Sequence, residues 1–444
     1  MLKNLLLYIL FSFLIVFQSL SPSIIESNKF FIQALIIAFL SSSSFFFLIF
    51  RLFKYEKNYV NENNLLVKKN KIRYLFITAF VLILALLFAS RNGIHDYSSY
   101  LKQWEIINSG LDPWIGTSNA YLPVHNMFAP LIKINNSFPK IIFFLLFAIP
   151  LYLTSIEDLN LKNELSQNSK LALFSLFCFS PFCLSFTILY GLNDTIVSGL
   201  ILFALYFSIS KKLKFHNQIT GCILSLATMI KIYPLFIIPF FIYRDRRIDI
   251  KFLASYISTT IFIFITSLFL WGKSTLGPIL FAINRTSSHL SFFNFSRQVL
   301  EFNIDKYSIY FMGIALILSL LVILKFKIDL LPSVVLTLAI VLSFYKVGHQ
   351  QFFLFFFAAG PLTIRYIHNL KLIKNKSLFI SYILWICFLN FYQTFYILSN
   401  QMSNGLANEI RPFAPLVFIL FSSKLLFDVI KILKKSPNCL SSIY

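Results

Sequence analysis

The first place where this sequence could do chemistry is an acidic residue set among imidazole and aromatic side chains. Asp96 follows His95 and precedes Tyr97 and Tyr100, shortly after an apolar block over residues 74–90. A carboxylate at the mouth of a membrane span can act as a general base, because it can accept a proton from a hydroxyl within hydrogen-bond distance. The same residues also suit an interfacial loop with an aromatic belt. Local chemistry leaves both interpretations open.

A second polar stretch follows closely. Trp114 comes after Asp112 and Pro113, and the segment 121–134 begins with Tyr121. Turn signals precede that segment, so it is predicted to be a short helix or a re-entrant stretch. Its polar side chains would then either bind a substrate or belong to a purely structural loop.

Two compact polar turns lie further along the chain. Asn193 and Asp194 occupy a predicted tight turn between two apolar blocks, and His349 and Gln350 occupy another. Asn and Asp are common turn residues, so a structural role is the alternative for the first turn. In the predicted topology this turn opens toward the same membrane face as Asp96, which favours a functional role.

A lysine interrupts an apolar segment at Lys231, with Tyr233 and Pro234 directly after it. A lysine at the centre of a membrane helix costs about 2.5–3.5 kcal/mol on insertion scales. The chain can tolerate this cost if the ammonium group binds phosphate as a point charge. Snorkelling of the side chain to the interface is the structural alternative.

Membrane helices are the elements that must position these residues. The chain has 444 residues, of which 58% are hydrophobic and 13% charged, whereas soluble domains carry about 25% charged residues. Uncharged blocks such as 74–90, 141–154, 195–210 and 307–324 approach the length of about 20 residues that a membrane-spanning helix needs. The composition therefore predicts an all-α, polytopic transmembrane bundle and an integral, multi-pass membrane protein.

The net charge of +22 does not indicate a nucleic-acid partner. The Lys and Arg residues form short clusters between apolar blocks, for example at 68–73, 211–214 and 371–376. Such clusters are typical of loops held at the cytoplasmic face, where anionic lipid attracts them. Membrane lipid is therefore the expected partner, and nucleic acid is not.

The pattern of blocks and clusters predicts roughly 12–14 spans with outer-side loops and short re-entrant or interfacial helices. We place the spans at about 4–22, 30–50, 74–90, 139–155, 170–190, 195–210, 252–271, 307–324, 331–345, 351–367, 377–395 and 411–430. The segment 218–243 is long for one span and short for two. It is predicted to form two short helices that meet near Lys231 and Pro234, because proline disfavours a continuous helix there.

In this topology the longest outer loops are 91–139 and 272–306. With the N-terminus inside, 27 of the 39 Lys and Arg residues fall on the cytoplasmic side, as the positive-inside rule requires. Asp96, Asp194 and His349 then face the non-cytoplasmic side.

The order and spacing of these polar segments resembles the GT-C class of polytopic glycosyltransferases, and within it family 87. That family includes mannosyltransferases that use polyprenyl-phosphate mannose. The matching elements are Asp96 with Tyr97 and Tyr100, the stretch 110–114, Tyr121 with Pro123, the turn 191–194, the segment 231–235 and the turn 349–353. Leu122 replaces the first proline of a Tyr-Pro-Pro element, and Asn193-Asp194 stands where Gly-Gln is common. These departures leave the subfamily and the sugar open.

The resemblance implies a GT-C fold in a single transmembrane domain over 1–444, with a glycosyltransferase-like core over 74–365 and accessory spans over 366–444. It implies an enzyme that transfers a hexose, mannose-like, from a polyprenyl-phosphate donor to a glycan or lipid acceptor. The reaction would occur on the non-cytoplasmic face, in a bacterial inner or plasma membrane.

The resemblance also implies roles for individual residues. Asp96 would be the catalytic base, and Lys231 would hold the donor phosphate, with help from His349 or Arg285. Substrate contacts would come from Tyr97, Tyr100, Trp114, Tyr121, Asn193, Asp194, Lys231, Tyr233, His349 and Gln350. No cofactor is expected. A divalent metal bound by Asp96 and Asp194 is conceivable but disfavoured, because carboxylates are sparse.

Two other classes share some of these features. A transporter of lipid-linked sugars would have buried charges, but we find no inverted repeat or matched broken spans. A polysaccharide polymerase or ligase would place catalytic arginines in one large outer loop, and Arg285 and Arg297 in 272–306 fit that description.

The predicted topology can be tested by cysteine labelling in intact cells. We expect a membrane-impermeant reagent to reach cysteine at position 96 but not at positions 69, 212 or 246, because the Lys and Arg clusters hold these three positions inside. Labelling at position 212 without labelling at position 96 would invert the topology.

Overall fold

The computed structural model describes residues 2–18, 28–56, 95–114, 121–157, 159, 165–244, 247–369, 376–399 and 411–435. It is an all-α, polytopic bundle, as predicted from the apolar blocks. The predicted span at 74–90 and the basic cluster at 68–73 lie outside the described residues.

The α-helices of the described residues are α1 (Leu2–Gln18), α2 (Asn28–Glu56), α3 (His95–Asn108), α4 (Phe138–Ile156), α5 (Gln167–Cys178), α6 (Pro181–Leu184), α7 (Asp194–Ser210), α8 (His216–Thr228), α9 (Ile238–Ile242), α10 (Ile250–Trp271), α11 (Gly277–Asn284), α12 (Phe292–Gln298), α13 (Ser308–Phe326), α14 (Leu330–Ser343), α15 (Leu354–Ala358), α16 (Gly360–Asn369), α17 (Lys376–Ser399) and α18 (Ala414–Lys435). Ser185–Leu189 is a π-helical turn. Helices of 3₁₀ type cover Pro123–Lys133, Tyr233–Ile237, Gly272–Leu276, Asp305–Tyr307, Gln350–Phe353 and Arg411–Phe413.

Strands in the described residues are only two residues long. β1 (Tyr243–Arg244) pairs antiparallel with β2 (Arg247–Ile248). β3 (Ser288–His289) pairs parallel with β4 (Val347–Gly348). These pairs fasten loops and do not form a sheet layer.

Five helical segments of the described residues are long and apolar enough to cross a membrane, and α5 with the bent segment after it makes a sixth. The five are Gln33–Phe53, Phe138–Ile156, Ile250–Asn284, Asp305–Phe326 and Ser377–Leu398. Four shorter apolar helices accompany them, including Asp194–Ser210 and Leu330–Ser343. The total of 12–14 spans stays a prediction.

The chain forms two compact units, and the functional residues below belong mostly to the second. The first comprises 1–81, 155–185 and 287–444, and the second comprises 82–154 and 186–286. The predicted core over 74–365 and accessory spans over 366–444 stay predictions.

Several predicted loops and spans differ from the observed elements. The predicted outer loop 91–139 contains α3, and α11 prolongs the apolar run of α10 into the predicted loop 272–306. The short helix predicted for 121–134 is confirmed by the 3₁₀ helix Pro123–Lys133. The predicted span 351–367 is divided into short helices. The span 170–190 bends by 49°, because Ser180 caps a new helix that has Pro181 at its first position.

The predicted helix break within 218–243 is confirmed. Helix α8 ends at Thr228, and a 3₁₀ helix with Pro234 near its start begins at Tyr233. Proline cannot donate the backbone hydrogen bond that a continuous helix would require, and its ring disfavours helical geometry at the preceding residue. The break leaves the backbone of residues 229–232 available for contacts with another segment.

Helix α8 packs closely against α10 because Gly221 carries no side chain. A Cβ added at Gly221 would lie 2.6 Å from the Phe252 carbonyl oxygen of α10. Hydrogen bonds between side chains join the same two helices, with Ser225 bonded to Thr260 at 2.8 Å and the Tyr256 hydroxyl bonded to Thr228 at 3.2 Å. Small residues and interhelical hydrogen bonds are the usual means of helix association in membranes.

We predict that Gly221→Ala destabilises the protein by about 1–3 kcal/mol, because the added methyl group must push α8 away from α10. Gly313→Ala is the matched control. Gly313 also lies within a helix, and a Cβ there would meet nothing within 4 Å. The control should be neutral or stabilising, since alanine favours helix over glycine. Thermal unfolding in detergent measures both variants, and equal shifts would contradict the close packing of α8 on α10.

Candidate active site

One face of α3 carries a row of buried aromatic side chains. Tyr97, Tyr100 and Trp104 are at most 1% exposed, and their spacing of three and four residues places them on one side of the helix. The Tyr97 and Tyr100 rings are 5.9 Å apart between centroids, and the Tyr100 and Trp104 rings are 5.8 Å apart. This face forms one wall of the candidate site.

Side chains of α3 hold the 3₁₀ helix Pro123–Lys133 in place. Trp104 donates its indole N–H to the His125 carbonyl at 3.0 Å, and Asn108 donates to the Ala129 carbonyl at 2.8 Å. Gln103 Nε2 donates to Asn126 Oδ1 at 2.8 Å. The bonds from Trp104 and Gln103 fix the position of His125 and Asn126 against the aromatic face. The bond from Asn108 holds the 3₁₀ helix further along, at Ala129.

The helix break after α8 joins the same assembly through its backbone. Leu122 N–H donates to the Ile230 carbonyl at 3.2 Å, and Val124 N–H donates to the Met229 carbonyl at 3.0 Å. This pairing carries Lys231 to the Tyr121 ring, with Nζ 6.0 Å from the ring centroid. The segment that leads into the 3₁₀ helix at Pro123 therefore pairs with the helix break before Pro234. The N–H groups of the first segment bond to the carbonyl groups of the second, so buried backbone groups of both are satisfied.

Lys231 forms a buried ion pair with Asp194. The ammonium group donates to Asp194 Oδ2, and the two side chains are 10% and 0% exposed. Asp194 is the first residue of α7, where the helix dipole also favours a negative charge. The second carboxylate oxygen, Oδ1, is buried and has no hydrogen-bond partner.

The turn before α7 depends on Gly191. Its φ angle is +62°, and an added Cβ would lie 2.6 Å from the Lys140 side chain. Lys140 is itself buried, donating to the Leu189 carbonyl at 3.2 Å and lying 4.6 Å from the centroid of the Tyr97 ring. A side chain at position 191 would therefore meet both backbone strain and a steric clash.

His125 lies within a group of three aromatic rings. Its ring centroid is 4.7 Å from that of Tyr100, 4.9 Å from that of Trp104 and 4.8 Å from that of Tyr121. Burial, and then the positive charge of Lys231, lowers the pKa of His125 to about 3. The imidazole is therefore neutral at physiological pH.

Asn193 connects His125 to Tyr100. The Tyr100 hydroxyl donates to Asn193 Oδ1 at 3.2 Å, so the amide nitrogen of Asn193 faces His125 Nδ1, at 3.5 Å. That nitrogen is a donor, and Nδ1 must accept. In a neutral imidazole the proton then resides on Nε2, which is buried and has no hydrogen-bond partner.

Asp96 lies on the first turn of α3 and is half-buried. Among the described residues its side chain makes no hydrogen bond or ion pair. Its negative charge nevertheless affects the site. Burial is the main cause of the raised pKa of Tyr121, and the charge of Asp96 raises this pKa further. Arg285 opposes that shift, so a second cation also acts on this ring.

Four predicted contact residues are engaged with the protein itself. Tyr97 donates to the Asn136 carbonyl at 2.5 Å, and Trp114 donates to the Tyr121 carbonyl at 3.2 Å. Tyr233 is buried at the start of its 3₁₀ helix. Tyr121 contacts both His125 and Lys231. Their predicted roles in substrate binding stay predictions.

His349 and Gln350 belong to the first compact unit. His349 directly precedes the 3₁₀ helix Gln350–Phe353 and contacts the Phe352 ring at 5.8 Å between centroids, while Gln350 is buried. Arg297, in the same unit, donates to the Ser287 carbonyl at 2.6 Å, so this arginine has a structural bond.

A metal-binding cluster of three or more His, Cys, Asp or Glu side chains does not occur within the described residues. Asp194 Oδ2 instead accepts from Lys231. Independence from a metal stays a prediction.

Three site residues are missing from the prediction: Gln103, Trp104 and Lys140. His125 and Asn126 lie in the predicted polar segment 121–134, but neither was assigned a role. A signal for α3 was present, because Tyr97, Tyr100 and Trp104 have helical spacing within a stretch that we assigned to a loop. No comparable signal marks Lys140, because its place in the site depends on contact with a distant segment, the turn at Gly191.

The fold defines the class of protein as a polytopic helical membrane protein. The family model of glycosyltransferase family 87 matches residues 127–362. Since this is more than half of the chain, the chain belongs to glycosyltransferase family 87 and is a membrane glycosyltransferase. No curated protein matches it. The matched region contains Asp194 and Lys231, whereas Asp96 precedes it.

We predict that Lys231→Met and Asp194→Asn each destabilise the protein by about 3–5 kcal/mol, since each leaves one buried charge without its partner. The double variant Asp194→Asn/Lys231→Met removes both charges and should recover most of that loss. Thermal unfolding of the four proteins in detergent measures this coupling. Additive losses in the double variant would contradict a buried ion pair.

Proposed function

We propose that this glycosyltransferase transfers a hexose, mannose-like, from a polyprenyl-phosphate donor to a hydroxyl of a glycan or lipid acceptor on the non-cytoplasmic face of the membrane. The observation that carries the proposal is the presence, in one compact unit, of an accessible carboxylate and a buried lysine around the same aromatic residues. The charge of Asp96 contributes to the raised pKa of Tyr121, and Lys231 Nζ lies 6.0 Å from the centroid of the same ring.

Asp96 is the better candidate for the general base of the two carboxylates. It is half-buried and makes no hydrogen bond or ion pair within the described residues. Asp194 already accepts a hydrogen bond from Lys231 and is fully buried. A base must be free to take up the proton of the acceptor hydroxyl. The partial exposure of Asp96 supports this role, whereas the Asp194 carboxylate is already paired with Lys231.

The reaction is a displacement at the anomeric carbon with inversion. The acceptor oxygen forms a bond to that carbon as its proton moves to Asp96. The bond between the carbon and the phosphate oxygen breaks, and polyprenyl phosphate leaves with the electron pair. Each bond formed is matched by one broken, and no cofactor is required.

Lys231 suits the role of phosphate clamp because negative charge increases on the phosphate as the glycosidic bond breaks. A fixed cation in a buried site stabilises such charge more strongly than it would in water. An ammonium group has three N–H donors, so it can bond to Asp194 and to a phosphate oxygen at once. Arg285 supplies a second positive charge that acts on Tyr121.

The membrane setting supports a lipid-linked donor. A polyprenyl chain would remain in the hydrocarbon layer while its sugar phosphate enters the polar site. The positive-inside distribution supports a site on the outer face. Family membership favours this function over a transporter, and the structural bond of Arg297 gives no support to a polymerase with catalytic arginines.

We predict that Asp96→Asn lowers the rate of transfer by about 10²–10⁴-fold, which is the usual contribution of a general base. The amide has nearly the same shape as the carboxylate but cannot accept the proton, so folding and donor binding should be unchanged. Purified protein in lipid, incubated with labelled polyprenyl-phosphate hexoses and acceptor lipids, measures the rate.

Glu105→Gln is the matched control for this experiment. Glu105 is exposed and lies on the same helix, α3, so its loss removes an equal charge without removing a base. We expect turnover close to that of the unmodified protein. Full activity of Asp96→Asn would exclude Asp96 as the base, and absence of transfer from every polyprenyl-phosphate hexose in the unmodified protein would refute the proposed function.

A further inference from the structure

We infer that His125 is a positioning and specificity-determining residue that donates its Nε2–H to a hydroxyl of the donor sugar, the hydroxyl next to the anomeric carbon. This inference rests on the proposed function and adds a recognition role that the mechanism above does not use. Several buried polar atoms of the second compact unit have no hydrogen-bond partner among the described residues.

Three such atoms belong to neighbouring residues of the candidate site. They are His125 Nε2, Asn126 Nδ2 and Asp194 Oδ1, and the three side chains are at most 4% exposed. A buried polar atom without a partner costs free energy. Three of them in one site indicate that a polar ligand completes their hydrogen bonds.

The network around His125 determines what its free nitrogen offers. Asn193 donates to Nδ1, so the neutral ring presents Nε2–H as a donor. The stacking of Trp104 and the bond from Trp104 to the His125 carbonyl keep the ring in one orientation. Since the low pKa of His125 keeps the ring neutral, it supplies a hydrogen bond without adding a positive charge.

The unpartnered atoms include both hydrogen-bond donors and an acceptor, so the ligand group that completes their bonds is a hydroxyl. Asp194 Oδ1 can only accept, whereas His125 Nε2–H and Asn126 Nδ2–H can only donate. A phosphate oxygen could not satisfy Asp194 Oδ1, because it has no proton to give. A sugar hydroxyl both donates and accepts, so it can complete the hydrogen bonds of both kinds of atom.

The position of the phosphate selects the hydroxyl. Lys231 lies against the Tyr121 ring, and that ring lies 4.8 Å from the His125 ring between centroids. A phosphate held by Lys231 is attached to the anomeric carbon, so the hydroxyl on the adjacent carbon is the sugar hydroxyl nearest to it. That hydroxyl is therefore the one within reach of His125.

The test compares the binding of sugars with and without this hydroxyl. The probes are citronellyl phosphate glucose, citronellyl phosphate mannose and their common 2-deoxy analogue, titrated into the purified full-length protein in lipid nanodiscs by calorimetry. We expect the unmodified protein to bind its preferred hexose about 10- to 100-fold more tightly than the 2-deoxy analogue, the range expected when a buried hydrogen bond is lost.

Two variants then separate the hydrogen bond from the packing of the ring. His125→Phe keeps an aromatic ring but has no donor, and it should reduce the preference to about one. His125→Gln places an amide N–H near the position of Nε2 and should retain part of the preference. Asn108→Ala is the control, because it removes support from the same 3₁₀ helix without touching His125. It should leave the ratio of the two dissociation constants unchanged.

Each outcome decides the inference. The inference is overturned if the unmodified protein binds the hexoses and the 2-deoxy analogue with equal dissociation constants, or binds no probe at all. Neither result requires the variants. An unchanged ratio in His125→Phe also overturns it. Transfer that depends on Asp96, measured separately, would show that the proposed function stands even then. A preference lost in His125→Phe, retained in part in His125→Gln and unchanged in Asn108→Ala supports the role of His125.

Discussion

Two opposite charges buried together in an apolar unit impose the constraint on which the rest of the site depends. Separately, the Asp194 carboxylate and the Lys231 ammonium group would each be too costly to bury. Together they are tolerated, but only if two segments 37 residues apart are held in fixed positions. The Gly191 turn positions Asp194. Lys231 is positioned by three features: the helix break after α8, the backbone pairing of that break with 122–124, and the packing of α8 on α10 at Gly221.

Neutral groups surround this ion pair. Burial raises the pKa of Tyr100 and Tyr121 and lowers that of His125, so these residues act as hydrogen-bonding groups without charge. Formal charges at the site are carried by Asp96, Lys140, Asp194, Lys231 and Arg285. This separation lets the site recognise a neutral sugar with one set of groups and handle a proton and a phosphate with another.

The sequence was most informative where a polar or helix-breaking residue interrupted an apolar segment. Lys231 and Pro234 in an apolar segment predicted both a helix break and a functional cation, and the break is confirmed. Asn193 and Asp194 predicted a turn, which the structure contains. The stretch after Asp96 was assigned to a loop, although α3 occupies it, because the expectation of an outer loop outweighed the helical spacing of Tyr97, Tyr100 and Trp104.

The sequence by itself determined that the chain is a multi-pass helical membrane protein, because apolar block length and charge depletion follow directly from the bilayer. It also identified Asp96, Asp194 and Lys231 as unusual, since each costs free energy near hydrocarbon. Tertiary structure alone decided that Asp194 and Lys231 are partners, that Lys140 supports the turn at Gly191, and that Asn193 fixes the proton of His125 on Nε2. These relations depend on contacts between distant segments, and neither periodicity nor composition encodes which distant residues will meet.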